Sequence, residues 1–357
     1  MTRVWDIPVH DSTRVRDVRV AAEAASGHAG LDQGRTAVAA LVATELATNL
    51  LKHAGGGQIL IDTPVADLSV SGDERGPGLQ IVALDHGPGM ADLTAALRDG
   101  YSTTASLGAG LGTCRRVADG FGVHTVPGQG TVAVARVHAA RGDQQTGRVP
   151  AAGSPVRAGG VNIPLRAAEH SGDAWACVRS GDFVTLLLAD GLGHGPAAAE
   201  ASDAAVRLLR HCAHLPPPDL LGELHGALRD TRGAAIAVAR LDLTAGQLDF
   251  AGIGNVGARL GADGTWRPLL SHPGIVGAHR PARLPGSRTP WTSDSVLVLH
   301  SDGLPSRWAP PPVASLASLD PAVSAAVIVR DSSSAARPVR DDTTVAVLNP
   351  TSLDPQT

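Results

Sequence analysis

Glu45, Asn49 and Lys52 recur at helical spacing along TAVAALVATELATNLLKHAGGG. At ~100° per residue they fall on the side that also carries Val38, Leu41 and Val42, so a carboxylate, an amide and an ammonium are expected to face inward. Polar groups on an apolar face need a partner, bound water or an ion, because each one left unsatisfied costs ~1–3 kcal/mol. A polar stripe that meets solvent is the simpler alternative. Lys52 is the only lysine among 30 basic residues; it could reach phosphate or complement the helix C-terminus. A second acid, Asp85, ends the apolar run 79–84 and is followed by Gly87 and Gly89. That gives a fixed acceptor beside backbone that a ligand can approach closely, although a tight turn reads similarly. Further on, a Ser/Thr loop with Gly108, Gly110 and Gly112 opens the TCRRVAD helix, whose free N–H groups suit phosphate. It does not follow a strand, as a dinucleotide-binding turn would.

Acids at strand ends recur in the second half. The apolar run 183–189 leads into Asp190-Gly191-Leu-Gly-His194-Gly195, and the run 296–301 leads into Asp302-Gly303. Asp173 precedes a hairpin, and Asp341-Asp342 precede the strand-like 343–348. Singly, each Asp-Gly reads as a turn. Together, separated acids at strand tips make sense if they converge on hard cations such as Mg²⁺ or Mn²⁺, which take oxygen ligands. His194 reads either as a structural turn residue or as a proton donor to a leaving group.

The elements that must position these residues fall into two groups. A helix near 13–27, a long helix from Arg35 to His53, and strands near 57–62, 79–85 and 130–137 predict an α/β sandwich. From about Ala140 to Gly160 the periodicity gives way to Gly, Pro and polar residues, which reads as a flexible linker. Beyond it, strands near 174–179, 183–189, 234–242, 247–252, 296–301 and 343–348 surround helices at 196–215 and 218–229. The expected domains are thus 1–139 and 161–349, with a linker at 140–160 and a tail at 350–357. A chain of 357 residues with 43% hydrophobic residues can fill two cores. Its formal charge of −4 supplies no basic field for nucleic acid. Cys114, Cys177 and Cys212 suggest neither a disulfide framework nor a zinc site, so a reducing cytoplasm is expected. The N-terminus lacks a signal-peptide core, and no apolar run is long enough to span a bilayer.

The succession E-L-A-T-N-L-L-K-H-A, D-H-G-P-G-M and S-L-G-A-G-L-G resembles the N box and two glycine boxes of the gyrase/histidine-kinase (GHKL) ATP-binding superfamily. The likeness is nearest to the anti-sigma serine kinases of RsbT, RsbW and SpoIIAB type. L-K-H-A-G-G-G, D-G-Y-S-T and G-Q-G-T-V-A-V-A-R point to RsbT-type switch kinases over about residues 1–138. The resemblance implies a Bergerat-type α/β sandwich in which Asn49 holds Mg²⁺ on the ATP triphosphate. Glu45 would accept the proton of the attacking serine, Asp85 would bind the adenine amino group, and Gly87, Gly89, Gly108, Gly110 and Gly112 would line the nucleotide. No phosphoacceptor-histidine hairpin precedes the N box, which favours a serine kinase over a sensor histidine kinase.

E-H-S-G-D, A-D-G-L-G-H-G, G-I-G-N-V-G, S-D-G-L and D-D-T-T-V-A-V resemble the SpoIIE/RsbU/RsbX branch of the metal-dependent PPM-type phosphatases, over about residues 160–348. That resemblance implies an α/β/β/α sandwich with Mg²⁺ or Mn²⁺. Asp190 would bridge two metals, the Gly191 carbonyl would ligate one, and Asp173, Asp302 and Asp341 would complete the site directly or through water. The arginine-rich phosphate grip of eukaryotic members is missing from the start of this domain. Together the two resemblances imply a bifunctional partner-switching regulator, a serine kinase and phosphoserine phosphatase acting on STAS-type anti-sigma antagonists. The alternative is a SpoIIE-type phosphatase gated by a non-catalytic domain that binds ATP or a partner.

Overall fold

The computed structural model describes residues 3–63, 65–67, 78–97, 110–140, 155–165, 168–281, 283–333 and 341–351. In the first half the order is β1 (Trp5–Val9), α1 (Ser12–His28), α2 (Gln33–Asn49), β2 (Gly57–Asp62), β3 (Val65–Asp67), β4 (Gly78–Leu84), α3 (Leu93–Ala96), α4 (Leu111–Val117), β5 (Gly120–Val126) and β6 (Gly130–His138). Asp11 and Asp32 start the two long helices. Their carboxylates accept from Thr13 N and Arg35 N, both at 2.8 Å, and so satisfy amides that a helix leaves free. Five strands make an antiparallel sheet in the order β1-β2-β4-β6-β5. Alternate side chains point to opposite faces. Ile59, Ile61, Ile81, Ala133 and Ala135 pack under α1 and α2, while Leu60, Val82, Leu84, Val132 and Val134 point the other way.

The long helix is shorter than the sequence predicts. α2 ends at Asn49, and a π-helical turn, Leu50–Ala54, follows before Gly55 closes it at φ 72°. Its buried face is Ala39, Val42, Ala43, Leu46 and Ala47, and Leu41 is 41% exposed. The expected inward stripe is therefore displaced: small alanines let the helix lie close to the sheet, and Glu45 and Asn49 sit half-buried at the edge of the packed face. Lys52 is exposed.

The second half runs β7 (Val156–Ile163), β8 (Asp173–Ser180), β9 (Phe183–Gly191), α5 (Pro196–Cys212), α6 (Pro217–Ala227), β10 (Ala234–Asp242), β11 (Gln247–Ile253), β12 (Gly257–Ala262), β13 (Thr265–Leu269), β14 (Ser287–Pro290), β15 (Val296–His300), α7 (Val313–Ser318), α8 (Pro321–Ser332) and β16 (Thr343–Pro350). A six-stranded sheet, β14-β11-β10-β9-β8-β3, faces a five-stranded one, β13-β12-β15-β16-β7. Leu186, Leu188, Phe250, Leu297 and Leu299 fill the space between them. α5 and α6 cover the first sheet, and α7 and α8 cover the second. This is the α/β/β/α order expected.

The stretch read as linker contains strand. β7 begins at Val156 and pairs with β16, Val156 opposite Pro350 and Gly160 opposite Ala346. Its Gly159 and Gly160 mark close packing rather than freedom: a Cβ would come within 2.5 Å of Ala322 N at the first and 2.6 Å of the Trp175 ring at the second. β16 likewise runs to Pro350, the first residue of the expected tail. Residues 141–154 and 352–357 of the expected linker and tail lie outside the described residues.

The two halves share a core. The second face of the first sheet does not meet solvent but packs on α8, so that Leu60, Val82, Leu84, Val132 and Val134 join Val323, Ala326 and Val327 in one cluster. Gln80, 1% exposed, donates to the Gly160 carbonyl at 2.8 Å across this joint. β3 of the first half adds a parallel edge to the second-half sheet, Val65 opposite Ala176.

Candidate active sites

The C-terminal end of α2 delivers Glu45 and Asn49 one turn apart. Asn49 Nδ2 is buried without a hydrogen-bond partner, which is the condition of an amide set for an oxygen or for a metal-bound phosphate. Burial raises the Glu45 carboxyl above its ordinary range, with Lys52 opposing. Lys52 therefore acts on Glu45 from the π-helical turn, a local distortion of a type common at functional sites. Asp85, 7% exposed, follows β4. Its Oδ1 accepts from Gly87 N at 2.8 Å and Thr131 N at 3.1 Å, which leaves Oδ2 as the oxygen open to a ligand donor.

The glycines of this half divide by cause. A Cβ on Gly87 would lie 2.6 Å from the Ala54 Cβ, and one on Gly89, at φ 66°, 2.3 Å from the Val126 carbonyl oxygen. Both are demanded by the protein's own packing beside the turn. Gly110 caps α4, and Gly112 is buried in its first turn. α4 lies against α2, where Cys114 Sγ approaches the Val42 carbonyl at 3.9 Å. Gly108 lies outside the described residues.

In the second half, Asp190 of β9, Asp302 after β15 and Asp341 before β16 line one cavity together with Gly193, His194, Asn255 and Asp342. Strand ends from both facing sheets meet here. Asp173 stands directly opposite Asp190 in the β8–β9 ladder, a like-charge pairing that destabilises a sheet unless something offsets it. Asp173 is 1% exposed, and neither of its carboxylate oxygens has a hydrogen-bond partner. Burial and the Asp190 and Asp342 charges raise it well above the usual range, while the nearby Ser301 and Thr344 hydroxyls oppose this without closing a bond of normal geometry. Burial, then Asp302, Asp341 and Asp342, push Asp190 up to about 7. Burial and then the Asp341 charge raise Asp302 as well, against the bond from Asn255.

This crowding of acids, with orphaned oxygens beneath, fits hard divalent cations. Among the described residues no three His, Cys, Asp or Glu side chains are set to hold an ion unaided. Ions here would rest on pairs of carboxylates completed by backbone carbonyl and water, a donor set that Mg²⁺ in particular accepts. Of the residues expected as ligands, Asp190, Asp302 and Asp341 are on the cavity wall. Asp173 lies buried behind Asp190, and Gly191 ends β9 with its N–H bonded to the Gly172 carbonyl at 3.0 Å. Asp342 is committed to structure, since its two oxygens accept from Leu165 N at 2.6 Å and Gly172 N at 2.8 Å.

Asn255 has no role in the sequence reading, although its G-I-G-N-V-G motif was legible. It follows β11 on the turn made by Gly254 at φ 97°, and its amide donates to Asp302 Oδ2. Only the meeting of β11 and β15 ends in space reveals it.

Residues 9–136 match the histidine kinase-like ATPase domain family, and residues 180–350 match Stage II sporulation protein E (SpoIIE). Serine/threonine-protein kinase RsbT of Bacillus subtilis (strain 168) is 42% identical over 106 residues, 29% of this chain and 71% of RsbT. Similar solved structures include the PP2C phosphatase domain with a regulatory fragment of SpoIIE from Bacillus subtilis, 15% identical over 96% of each chain with a TM-score of 0.47. RsbX in complex with magnesium is 20% identical over 55% of this chain and 96% of its own, also with a TM-score of 0.47. Among the described residues no helix is long and apolar enough to cross a membrane. The kinase-like domain is of an ATP-binding type, and PPM-type phosphatases depend on metal ions. Through its first half the chain belongs to the RsbT family of serine/threonine-protein kinases, and it is an enzyme that carries a SpoIIE-type serine/threonine phosphatase domain behind that half.

Proposed function

We propose that the chain is a bifunctional partner-switching regulator of the cytoplasm, whose first half phosphorylates a serine on a STAS-type anti-sigma antagonist and whose second half removes such phosphates. The reading is carried by the completeness of both sets of groups: the Glu45–Asn49 pair beside a half-free Asp85, and the acids of the Asp190 cavity. In the kinase half, Asp85 Oδ2 would accept from the adenine amino group. Asn49 would hold Mg²⁺ on the triphosphate, and Glu45, partly desolvated, would take the serine proton. In the phosphatase half, Asp190, Asp302 and Asp341, with Asp173 behind them, would hold Mg²⁺ or Mn²⁺. The ions would supply an activated water and offset charge on the phosphoryl oxygens, so the chain need provide no covalent nucleophile. His194 stands exposed on the cavity wall, and there it would serve as proton donor to the leaving serine. The working units would be residues 1–139 and 161–349, the latter extended to Val156 by β7 and to Pro350 by β16.

Incubation with ATP, Mg²⁺ and candidate STAS proteins, followed by mass spectrometry of phosphoserine, tests this. Transfer to one STAS protein, and loss of that phosphate when ATP is removed and Mn²⁺ supplied, is the expected result. Loss of phosphate without any transfer would instead favour the gated phosphatase. One observation favours that second reading: α8 is packed between the nucleotide-type sheet and the phosphatase sheet, so the first half touches the second through its core.

A further inference from the structure

Arg330 lies in the last turn of α8, a helix of the phosphatase half, yet is only 2% exposed. Arginine is almost never buried so fully without partners. Its Nε donates to Asp331 Oδ1 at 2.8 Å. Its Nη1 reaches the Gly130 carbonyl of the other half at 3.5 Å, and its Nη2 lies 2.8 Å from the same Asp331 Oδ1 in an ion pair, without closing a hydrogen bond of normal geometry. The Arg330 backbone carbonyl accepts from His86 Nε2 at 3.1 Å.

These contacts surround one residue. His86 follows Asp85 in the chain. Gly130 approaches Asp85 so closely that a Cβ on it would lie 2.1 Å from the Asp85 carbonyl oxygen, and the next residue, Thr131, donates its N–H to Asp85 Oδ1. The Arg330 guanidinium therefore touches the Gly130 side of the turn pair that presents the Asp85 carboxylate, and the Arg330 backbone carbonyl holds the His86 side. Its charge also opposes the upward push of burial on that carboxyl, which favours an acceptor over a donor at Oδ2. From Arg330 the chain continues to Asp341, on the wall of the acid cavity, and α8 itself packs on β16.

We propose that Arg330 is a positioning residue of the nucleotide site, supplied by the phosphatase half, and that through it nucleotide binding is linked to α8 and to the start of β16. The proposal rests on the reading that Asp85 binds the adenine. An arginine that merely filled the joint would affect stability and leave nucleotide affinity alone.

The test uses the full chain. Arg330→Met keeps the length of the side chain and removes the fork and charge. His86→Ala, at an exposed position, removes the bond to the Arg330 carbonyl, together with the imidazole's own influence on the neighbouring Asp85, and leaves the buried guanidinium in place. Both should raise the Kd for a fluorescent ATP analogue with Mg²⁺, Arg330→Met by about tenfold, within the usual range of coupling between sites. Adding the analogue should slow amide exchange in α8 and at residues 341–344 in the unaltered chain, and much less in Arg330→Met. Nucleotide affinity unchanged in both variants, or exchange in α8 indifferent to nucleotide, would overturn the proposal while leaving the Asp85 reading intact. Asp85→Asn reports on that reading separately: it should lose nucleotide, and undiminished binding there would remove Asp85 from the site and the proposal with it.

Discussion

Arg136 of β6 and Asp320, which caps α8, meet across the two halves in a two-pronged ion pair, Nη1 to Oδ2 and Nη2 to Oδ1, both at 2.8 Å. Asp320 also accepts from Ala322 N at 2.9 Å, so one carboxylate starts the helix and ties it to the neighbouring sheet. Burial alone would raise Asp320, but the Arg136 bonds and charge win and hold it below the ordinary carboxylate range. A depressed acid contributes stability that is complete above its unfolded value, about 3.9, and is lost as pH falls through the lower folded value. Arg136→Met should destabilise the chain by about 2–4 kcal/mol in urea unfolding, because it leaves a largely buried carboxylate without its partner. Its acid limb should be flatter than that of the unaltered chain; an unchanged acid limb would mean the pair contributes nothing.

Asp190 predicts the pH dependence of the phosphatase. With its pKa pushed up to about 7, it holds a proton below neutrality that a cation must displace. Mn²⁺ affinity, measured by calorimetry in buffers of different ionisation enthalpy, should fall by about tenfold per pH unit below that point, with proton release on binding. Asp190→Ala and Asp302→Ala should lose metal-dependent hydrolysis of phosphoserine while keeping the far-UV circular dichroism of the parent. Hydrolysis that survives thorough chelation would exclude the metal mechanism.

Asn255 should behave as an orienting residue behind Asp302. Removing the donor that fixes a ligand carboxylate commonly weakens metal binding by about 10–100-fold. Asn255→Ala is therefore expected to weaken Mn²⁺ binding in that range and leave the metal-free melting temperature nearly unchanged. A normal Mn²⁺ titration would assign the amide to local structure alone.

In the kinase half, Asn49→Ala should abolish binding of Mg²⁺-ATP, because it removes the amide oxygen that would hold the metal and the Nδ2 that has no partner within the protein. Glu45→Gln should keep nucleotide and lower phosphoryl transfer by ~10²-fold or more, the usual range for a positioned base. Transfer at the parent rate in Glu45→Gln would show that Glu45 is not the base.

Much of this was legible in the chain because the chemistry sits at strand and helix ends that periodicity marks. Asp85, Asp190 and Asp302 each terminate an apolar run, and Glu45 and Asn49 share a helix face. The helix phase is poorly marked in the sequence because alanine occupies buried and exposed positions alike, so Leu41 draws the expected face toward itself. Gly159 and Gly160 look like linker in the sequence because composition does not distinguish a glycine that frees the chain from one that lets Ala322 or Trp175 come close. Asn255 and Arg330 lie far in sequence from the groups they touch, Asp302 and Gly130. No local pattern carries such pairings.

That shared core decides what cutting the chain should do. A Gly/Pro-rich connector between complete domains would let each half fold alone, and the stretch at 140–160 invites that expectation. In the structure, however, Leu60, Val82, Leu84, Val132 and Val134 are each at most 5% exposed against α8. Uncovering side chains of this kind forfeits roughly 1.5–3 kcal/mol each, a total on the order of 10 kcal/mol, comparable with the whole stability of a domain. Residues 1–139 expressed alone should therefore bind a hydrophobic dye and self-associate, while fragments 1–145 and 150–357 produced together should co-purify as a 1:1 pair. Leu84→Glu, which sets a charge against α8, should separate that pair. Two fragments that each melt sharply, stay monomeric and show no mutual affinity would demonstrate that the joint contributes little, and that the halves act on their substrate independently.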